Sequence, residues 1–190
     1  MAFIGIKIPE KISKKLKNIN IDGDKTDTSD FHITLIAFED NIPIKNVSKS
    51  LEAMYNSCED INPFEITLDK VSCFPKREDN PCPLITPIVS KELQQINKNL
   101  KKYLDKMDVD YLNTFKMYKP HITLSYAEKE IKDFKIEPIG FEVNEICLWS
   151  GDNGLNYDKI HVICPLPSIN KSSFLLQSAN LFYKFATKLF

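Results

Sequence analysis

The tetrapeptide His-Ile-Thr-Leu occurs twice, at His32-Ile33-Thr34-Leu35 and, 89 residues further on, at His121-Ile122-Thr123-Leu124. The chain has only three histidines, and two of them head this string. One His-x-Thr carries little information; two identical copies, each in a β-rich run, carry much more. On a strand, residues i and i+2 point to the same face. The His and Thr of each copy therefore project together, while Ile33, Leu35, Ile122 and Leu124 turn the other way, toward a core. Two such strands side by side would gather two imidazoles and two hydroxyls in one cleft. That set suits phosphodiester chemistry without a metal. A neutral imidazole takes a proton from the attacking oxygen, and a protonated one delivers a proton to the leaving oxygen. The threonine hydroxyls donate to the non-bridging phosphate oxygens as charge builds there. Histidine fits because its ordinary pKa, about 6.5, makes both protonation states accessible near neutrality. We therefore expect His32 and His121 to be catalytic and Thr34 and Thr123 to bind the substrate phosphate. Which histidine is acid and which is base does not follow from the pattern.

The elements that must hold these residues can be read along the chain. Phe3–Ile8 reads as a strand stopped by Pro9. Residues 10–20, with Ile12, Leu16 and Ile19 at helical spacing, read as a short amphipathic helix. Residues 22–30 read as a polar loop, and 31–38 as the strand of the first motif. A helix is predicted over 44–57, a strand over 64–74, a charged Pro-rich loop over 75–83 and a strand over 84–89. Ser90 is placed to cap a helix with Leu93, Ile96, Leu100 and Leu104 as its stripe. The second motif lies in a β-rich run over 119–126. Residues 141–149 and 159–164 read as a hairpin across Ser150–Gly154. Strands and helices alternate throughout, which places the chain in the α+β or α/β class.

Composition narrows the partners. The 190 residues are 43% hydrophobic and 27% charged, enough for one ordinary domain with a real core or two small lobes sharing one. The net charge is −1, from 25 basic and 26 acidic residues, against the basic excess that wrapping duplex DNA needs. A small nucleotide or a single-stranded RNA end remains compatible. Arg77 is the lone arginine, so phosphate contacts must come from lysine, hydroxyls, histidines or backbone N–H groups. The five cysteines form no CxxC pair and read as reduced thiols of a cytoplasmic protein. With three histidines and no metal-binding spacing, neither a metal nor another cofactor is expected. The N-terminus lacks the features of a signal peptide, and no apolar run approaches the ~20 residues of a membrane span.

Several further residues are candidates beside the motifs. Trp149, the only tryptophan, suits either stacking on a nucleobase or packing within a hairpin. Tyr118, Lys119 and Tyr126 flank the second motif as candidates for base stacking or phosphate contact. His161 has no Thr two residues on and reads as structural or surface-exposed. Ser29 and Asp30 precede the first motif and could orient it. Residues 168–190 form a C-terminal extension with Phe174, Leu181, Phe185 and Leu189 on one helical face. It reads as a helix docked on its own domain or a second subunit, as a weak membrane-surface helix, or as a disordered end.

With these residues in view, the chain resembles the two-histidine (2H) phosphoesterase superfamily. That superfamily includes RNA 2′,3′-cyclic phosphodiesterases, the 2′,5′-RNA ligase-like proteins and 2′,5′-phosphodiesterases. The resemblance spans about residues 3–166. It rests on the opening strand with its Pro9-Glu10 step, both His-x-Thr strings, Pro120 before the second, Val71-Ser72-Cys73-Phe74-Pro75, Leu148-Trp149-Ser150 and Tyr157. The first motif departs from the pattern in having Phe31 where a proline is usual. The resemblance implies two pseudo-symmetric lobes of antiparallel sheet plus helices around a central cleft, over residues 1–167. It implies a phosphodiesterase acting on a bond that involves a ribose 2′-oxygen, either a 2′,3′-cyclic phosphate or a 2′-5′ linkage. Two other readings stand beside this one: a viral or phage-type enzyme that degrades a nucleotide immune messenger such as 2′-5′ oligoadenylate or a cyclic oligonucleotide, and a non-catalytic RNA-end or nucleotide binder.

Overall fold

The computed structural model describes residues 2–39, 44–76, 80–113, 117–150 and 160–166. Arg77, the Gly151–Gly154 turn, Tyr157 and the 168–190 extension lie outside the described residues. The elements run β1 (Phe3–Lys7), α1 (Glu10–Lys17), β2 (Asp24–Lys25), β3 (His32–Ala37), α2 (Ile44–Cys58), β4 (Phe64–Cys73), β5 (Cys82–Pro87), α3 (Lys91–Lys106), β6 (His121–Ala127), β7 (Phe134–Val143), β8 (Glu145–Ser150) and β9 (Ile160–Pro165).

The strands form two antiparallel sheets, ordered β3-β1-β8-β9 and β2-β6-β5-β4-β7. Without the two-residue β2, the second order matches the first place for place: β6 stands where β3 stands, β5 where β1 stands, β4 where β8 stands and β7 where β9 stands. In each half a strand leads into a helix and then into a motif strand: β1, α1, β3 in the first and β5, α3, β6 in the second. The expected pair of pseudo-symmetric α+β lobes is therefore present.

The matching extends to single residues. Lys7 is opposite His32 and Gly5 opposite Thr34 in the first half; Pro87 is opposite His121 and Ile85 opposite Thr123 in the second. Each pairing carries an irregularity at the same place, between Ile4 and Gly5 and between Leu84 and Ile85. The bulge breaks the alternation after four residues, so Leu35 and Ile36, like Leu124 and Ser125, are buried in succession. The two-residue period that aims His and Thr at one face thus ends just after the threonine in each half.

Helix α3 shows how local sequence places an element. Ser90 accepts a hydrogen bond from the Leu93 N–H at 3.1 Å, a cap of the kind that contributes about 1 kcal/mol. Leu93, Ile96, Leu100 and Leu104 are fully buried. Each such side chain contributes roughly 1.5–3 kcal/mol relative to an exposed one. The helix packs on α2 and against β3, so a helix of the second half supports the motif strand of the first.

Two expectations need correction. The predicted strand over 141–149 is two strands: β7 ends at Val143 and β8 begins at Glu145. The sequence signal for β7 is interrupted by Pro138 and Gly140, yet the segment pairs with β4 from Phe64↔Val143 to Val71↔Phe134. The polar loop over 22–30 contains β2, which pairs Asp24 with Tyr126 and Lys25 with Ser125. Gly23 makes this possible. Its φ of +91° favours glycine, and a Cβ there would run into the Tyr126 carbonyl.

Candidate active site

The two motif strands meet where the sheets adjoin. The imidazoles are close enough that charge on His32 disfavours charge on His121. Each histidine is held the same way. His32 Nδ1 lies 2.6 Å from the Asp30 carbonyl oxygen, and His121 Nδ1 lies 2.7 Å from the Lys119 carbonyl oxygen. A carbonyl only accepts, so Nδ1 carries the proton in both rings and donates it. The other nitrogen, Nε2, then offers a lone pair when the ring is neutral and an N–H when it is charged. The Thr34 and Thr123 side chains are half-buried on the same strand faces as the two histidines.

Burial sets the electrostatics. Desolvation holds the pKa of His32 below the ordinary imidazole value, against smaller opposing pulls from the Asp30 carbonyl and the Asp30 charge. Desolvation also lowers the pKa of His121, opposed by the Lys119 carbonyl and reinforced by His32. Both shifts favour the neutral imidazole. An anionic phosphate between them would favour charging one.

Aromatic rings flank both imidazoles, and of these the sequence singled out only Trp149 as a site candidate. The Phe3 ring lies 4.6 Å from the His32 ring, and the Trp149 ring stacks on Phe3 at 4.6 Å. Gly5 lies between Phe3 and Lys7 on this face. A Cβ at Gly5 would meet the Phe3 ring at 3.3 Å and collide with the Ile33 carbonyl oxygen, so glycine leaves room for Phe3 to reach His32. In the second half Phe74 meets His121 edge-on at 4.7 Å.

The flanking candidates divide. Trp149 is 6% exposed and takes the hairpin-packing role, in register with Phe3 on one side and His161 on the other. A nucleobase would find little of its face. Tyr118 is half-buried and bridges the motifs, its hydroxyl donating to the Thr34 carbonyl at 2.9 Å. Burial pushes its pKa well up. Lys119 contributes its carbonyl to His121, while its side chain is exposed. Tyr126 is 47% exposed and lies beyond the bulge, opposite β2. Asn97, which nothing in the sequence singled out, donates from α3 to the Leu35 carbonyl at 2.7 Å. Among the described residues no group of three His, Cys, Asp or Glu side chains could hold a metal ion, and no helix is long and apolar enough to cross a membrane.

Comparison with known proteins follows this geometry. Residues 11–155, most of the chain and both His-x-Thr strings, match the model of the 2′-5′ RNA ligase superfamily. No curated protein matches by sequence. Among solved structures, TT0787 of Thermus thermophilus superposes with a TM-score of 0.67 at 16% identity, covering 87% of this chain and 94% of that one. A crystal structure described as a phosphoesterase gives 0.60 at 19%, covering 87% and 95%. E. coli LigT in its apo form gives 0.59 at 19%, covering 87% and 94%. At these identities the likeness is one of fold, and the family match carries the kinship. The chain belongs to the 2′-5′ RNA ligase superfamily, the two-histidine phosphoesterases.

Proposed function

We propose that the protein is a metal-independent phosphodiesterase that hydrolyses a nucleotide phosphodiester involving a ribose 2′-oxygen. The observation that carries this reading is the pair of imidazoles with both Nδ1 atoms committed to backbone carbonyls and both Nε2 atoms left to work. One neutral ring takes a proton from water through Nε2 as the water oxygen bonds to phosphorus. The other, charged, gives its Nε2 proton to the departing ribose oxygen as that P–O bond breaks. A 2′,3′-cyclic phosphate becomes a phosphomonoester with a free neighbouring hydroxyl; a 2′-5′ linkage would part at the same kind of bond. Thr34 and Thr123 donate to the non-bridging oxygens, where negative charge grows. Substrate charge supplies the second protonation state, because phosphate between two desolvated imidazoles raises their affinity for a proton.

Solved structures of E. coli LigT hold ATP, 3′-AMP, phosphate and NADP+, which supports a small nucleotide as the ligand class here. The test is product analysis by mass spectrometry in EDTA. The panel holds 2′,3′-cyclic nucleotides, 2′-5′ and 3′-5′ oligoadenylates, and cyclic di- and trinucleotides. Cleavage confined to substrates with a 2′-oxygen at the scissile phosphate is expected. Cleavage that needs an added metal, or binding without cleavage of any panel member, would overturn the reading.

A further inference from the structure

Among the described residues, strand β3 is the edge of its sheet, so its outer rim presents carbonyls with no strand beside them. The second half supplies the donors. Tyr118 Oη donates to the Thr34 carbonyl at 2.9 Å, Asn97 Nδ2 to the Leu35 carbonyl at 2.7 Å, and the Leu112 N–H to the Ala37 carbonyl at 2.8 Å. The rim of β6 is covered differently, by backbone from the first half: β2 pairs along it, and the Thr26 N–H donates to the Leu124 carbonyl at 2.9 Å. In each half, the connection between helix and motif strand reaches across to the other half's motif.

We propose that Tyr118 and Asn97 are positioning residues that clamp the first motif against the second and so set how Thr34 and His32 face His121 and Thr123. The two side chains grip consecutive carbonyls, Thr34 and Leu35, at the point where the bulge changes the facing of the strand. A backbone shift there re-aims the Thr34 hydroxyl. Tyr118 stands three residues before His121, so the short segment that begins β6 also holds β3. Its own carbonyl accepts from Gln94 Nε2 at 3.1 Å, which ties the segment to α3. Asn97 is 6% exposed on the apolar face of α3. A carboxamide buried there is costly unless bonded, and its bond is to the motif strand. Both grips rest on side chains, whereas the matching grip on β6 is a strand pairing that no single side-chain change removes.

The catalytic part of this inference rests on the phosphodiesterase reading; the geometric part does not. Tyr118→Phe removes only the hydroxyl, and Asn97→Ser keeps a polar group but loses its reach. The readouts are kcat and KM on the preferred substrate, and the titration of both histidines by NMR with His32→Gln as reference. In the otherwise wild-type protein, His32→Gln is expected to shift the His121 titration upward, because the charge on His32 disfavours charge on His121. Tyr118→Phe is expected to lower kcat about tenfold or more with little change in KM, since small misplacements near reacting groups are costly in rate. It should also shrink the effect of His32→Gln on His121. Asn97→Ser should act in the same direction. If either variant folds with kcat and the histidine coupling unchanged and only the melting temperature lowered, that residue is structural and the two-residue clamp is wrong. If the wild type cleaves nothing, the phosphodiesterase reading fails, and the titration coupling alone decides the clamp.

Discussion

His32 is backed by two stacked rings, Phe3 and Trp149, whereas His121 is backed, among the described residues, by the single ring of Phe74. The register explains the difference. Trp149 is opposite Phe3 on β1; in the equivalent place Phe74 is opposite Pro83, donating its N–H to the Pro83 carbonyl at 3.0 Å. Proline occupies the position of Phe3, so the neighbouring strand's ring reaches the histidine directly. The carbonyls at Asp30 and Lys119, the register opposite His and Thr, and the bulge are alike in both halves. The rings, the edge covering and the nearby charges differ. The shared parts aim Nε2, and on the proposed function that aim is what both rings need. The parts that differ set how dry each ring is and which charges it sees, so the two histidines need not titrate alike even though they point alike.

The largest expected effect tests the shared part. His32→Ala and His121→Ala should each lower the rate about 10²–10⁴-fold, the usual worth of one positioned proton transfer, or about 3–5 kcal/mol of barrier. Steady-state kinetics in EDTA measures it. Loss in one variant only would mean that the halves have divided the work unequally.

Gly5 and Ile85 occupy matching places opposite Thr34 and Thr123, with opposite needs. Gly5→Ala would press a methyl on the Ile33 carbonyl and should cost about 1–3 kcal/mol of stability. Ile85→Ala would empty a site that is 4% exposed and should cost about 2–5 kcal/mol. Urea denaturation distinguishes them; a neutral Gly5→Ala would show that the first half has room the structure denies it.

Shortening the rings should separate the two titrations. Phe3→Ala would let water to His32 and raise the His32 pKa toward its ordinary value; Phe74→Ala would do the same for His121. NMR titration reads each ring. Equal shifts of both rings in either variant would contradict two independent buttresses.

The smallest effect is global. Both imidazoles have lowered pKa values in the folded state, so the unfolded chain binds protons that the folded site refuses. Stability should therefore be steady above about pH 6.5, the unfolded histidine value, and fall as pH drops toward the folded values. His32→Gln and His121→Gln should each remove part of that slope in melting curves taken from about pH 5 to about pH 7.5. Slopes unaffected by both substitutions would place the linkage elsewhere.

Much of this was legible in the sequence because it was local. The repeated His-Ile-Thr-Leu exposes its facing through a period of two, Ser90 announces the start of α3, and the 141–164 stretch announces a hairpin. Other parts depend on partners far along the chain. Gly5 looks like any glycine until the Ile33 carbonyl lies against it. Asn97 looks like an ordinary polar residue in a helix until β3 crosses beneath. Strand β7 hides because Pro138 and Gly140 break its alternation, and β2 exists only because β6 offers an edge. Trp149 was ambiguous in the sequence, and the register opposite Phe3 places it in the packing.

The central claim is that two motifs, one from each half, make a single site. The most direct measurement is a double-variant cycle on kcat with His32→Ala, His121→Ala and both together. If acid and base serve one reaction as a unit, the double variant should lose little more than the worse single variant. Losses that multiply, or a single variant that keeps full activity, would show that the two histidines do not act together.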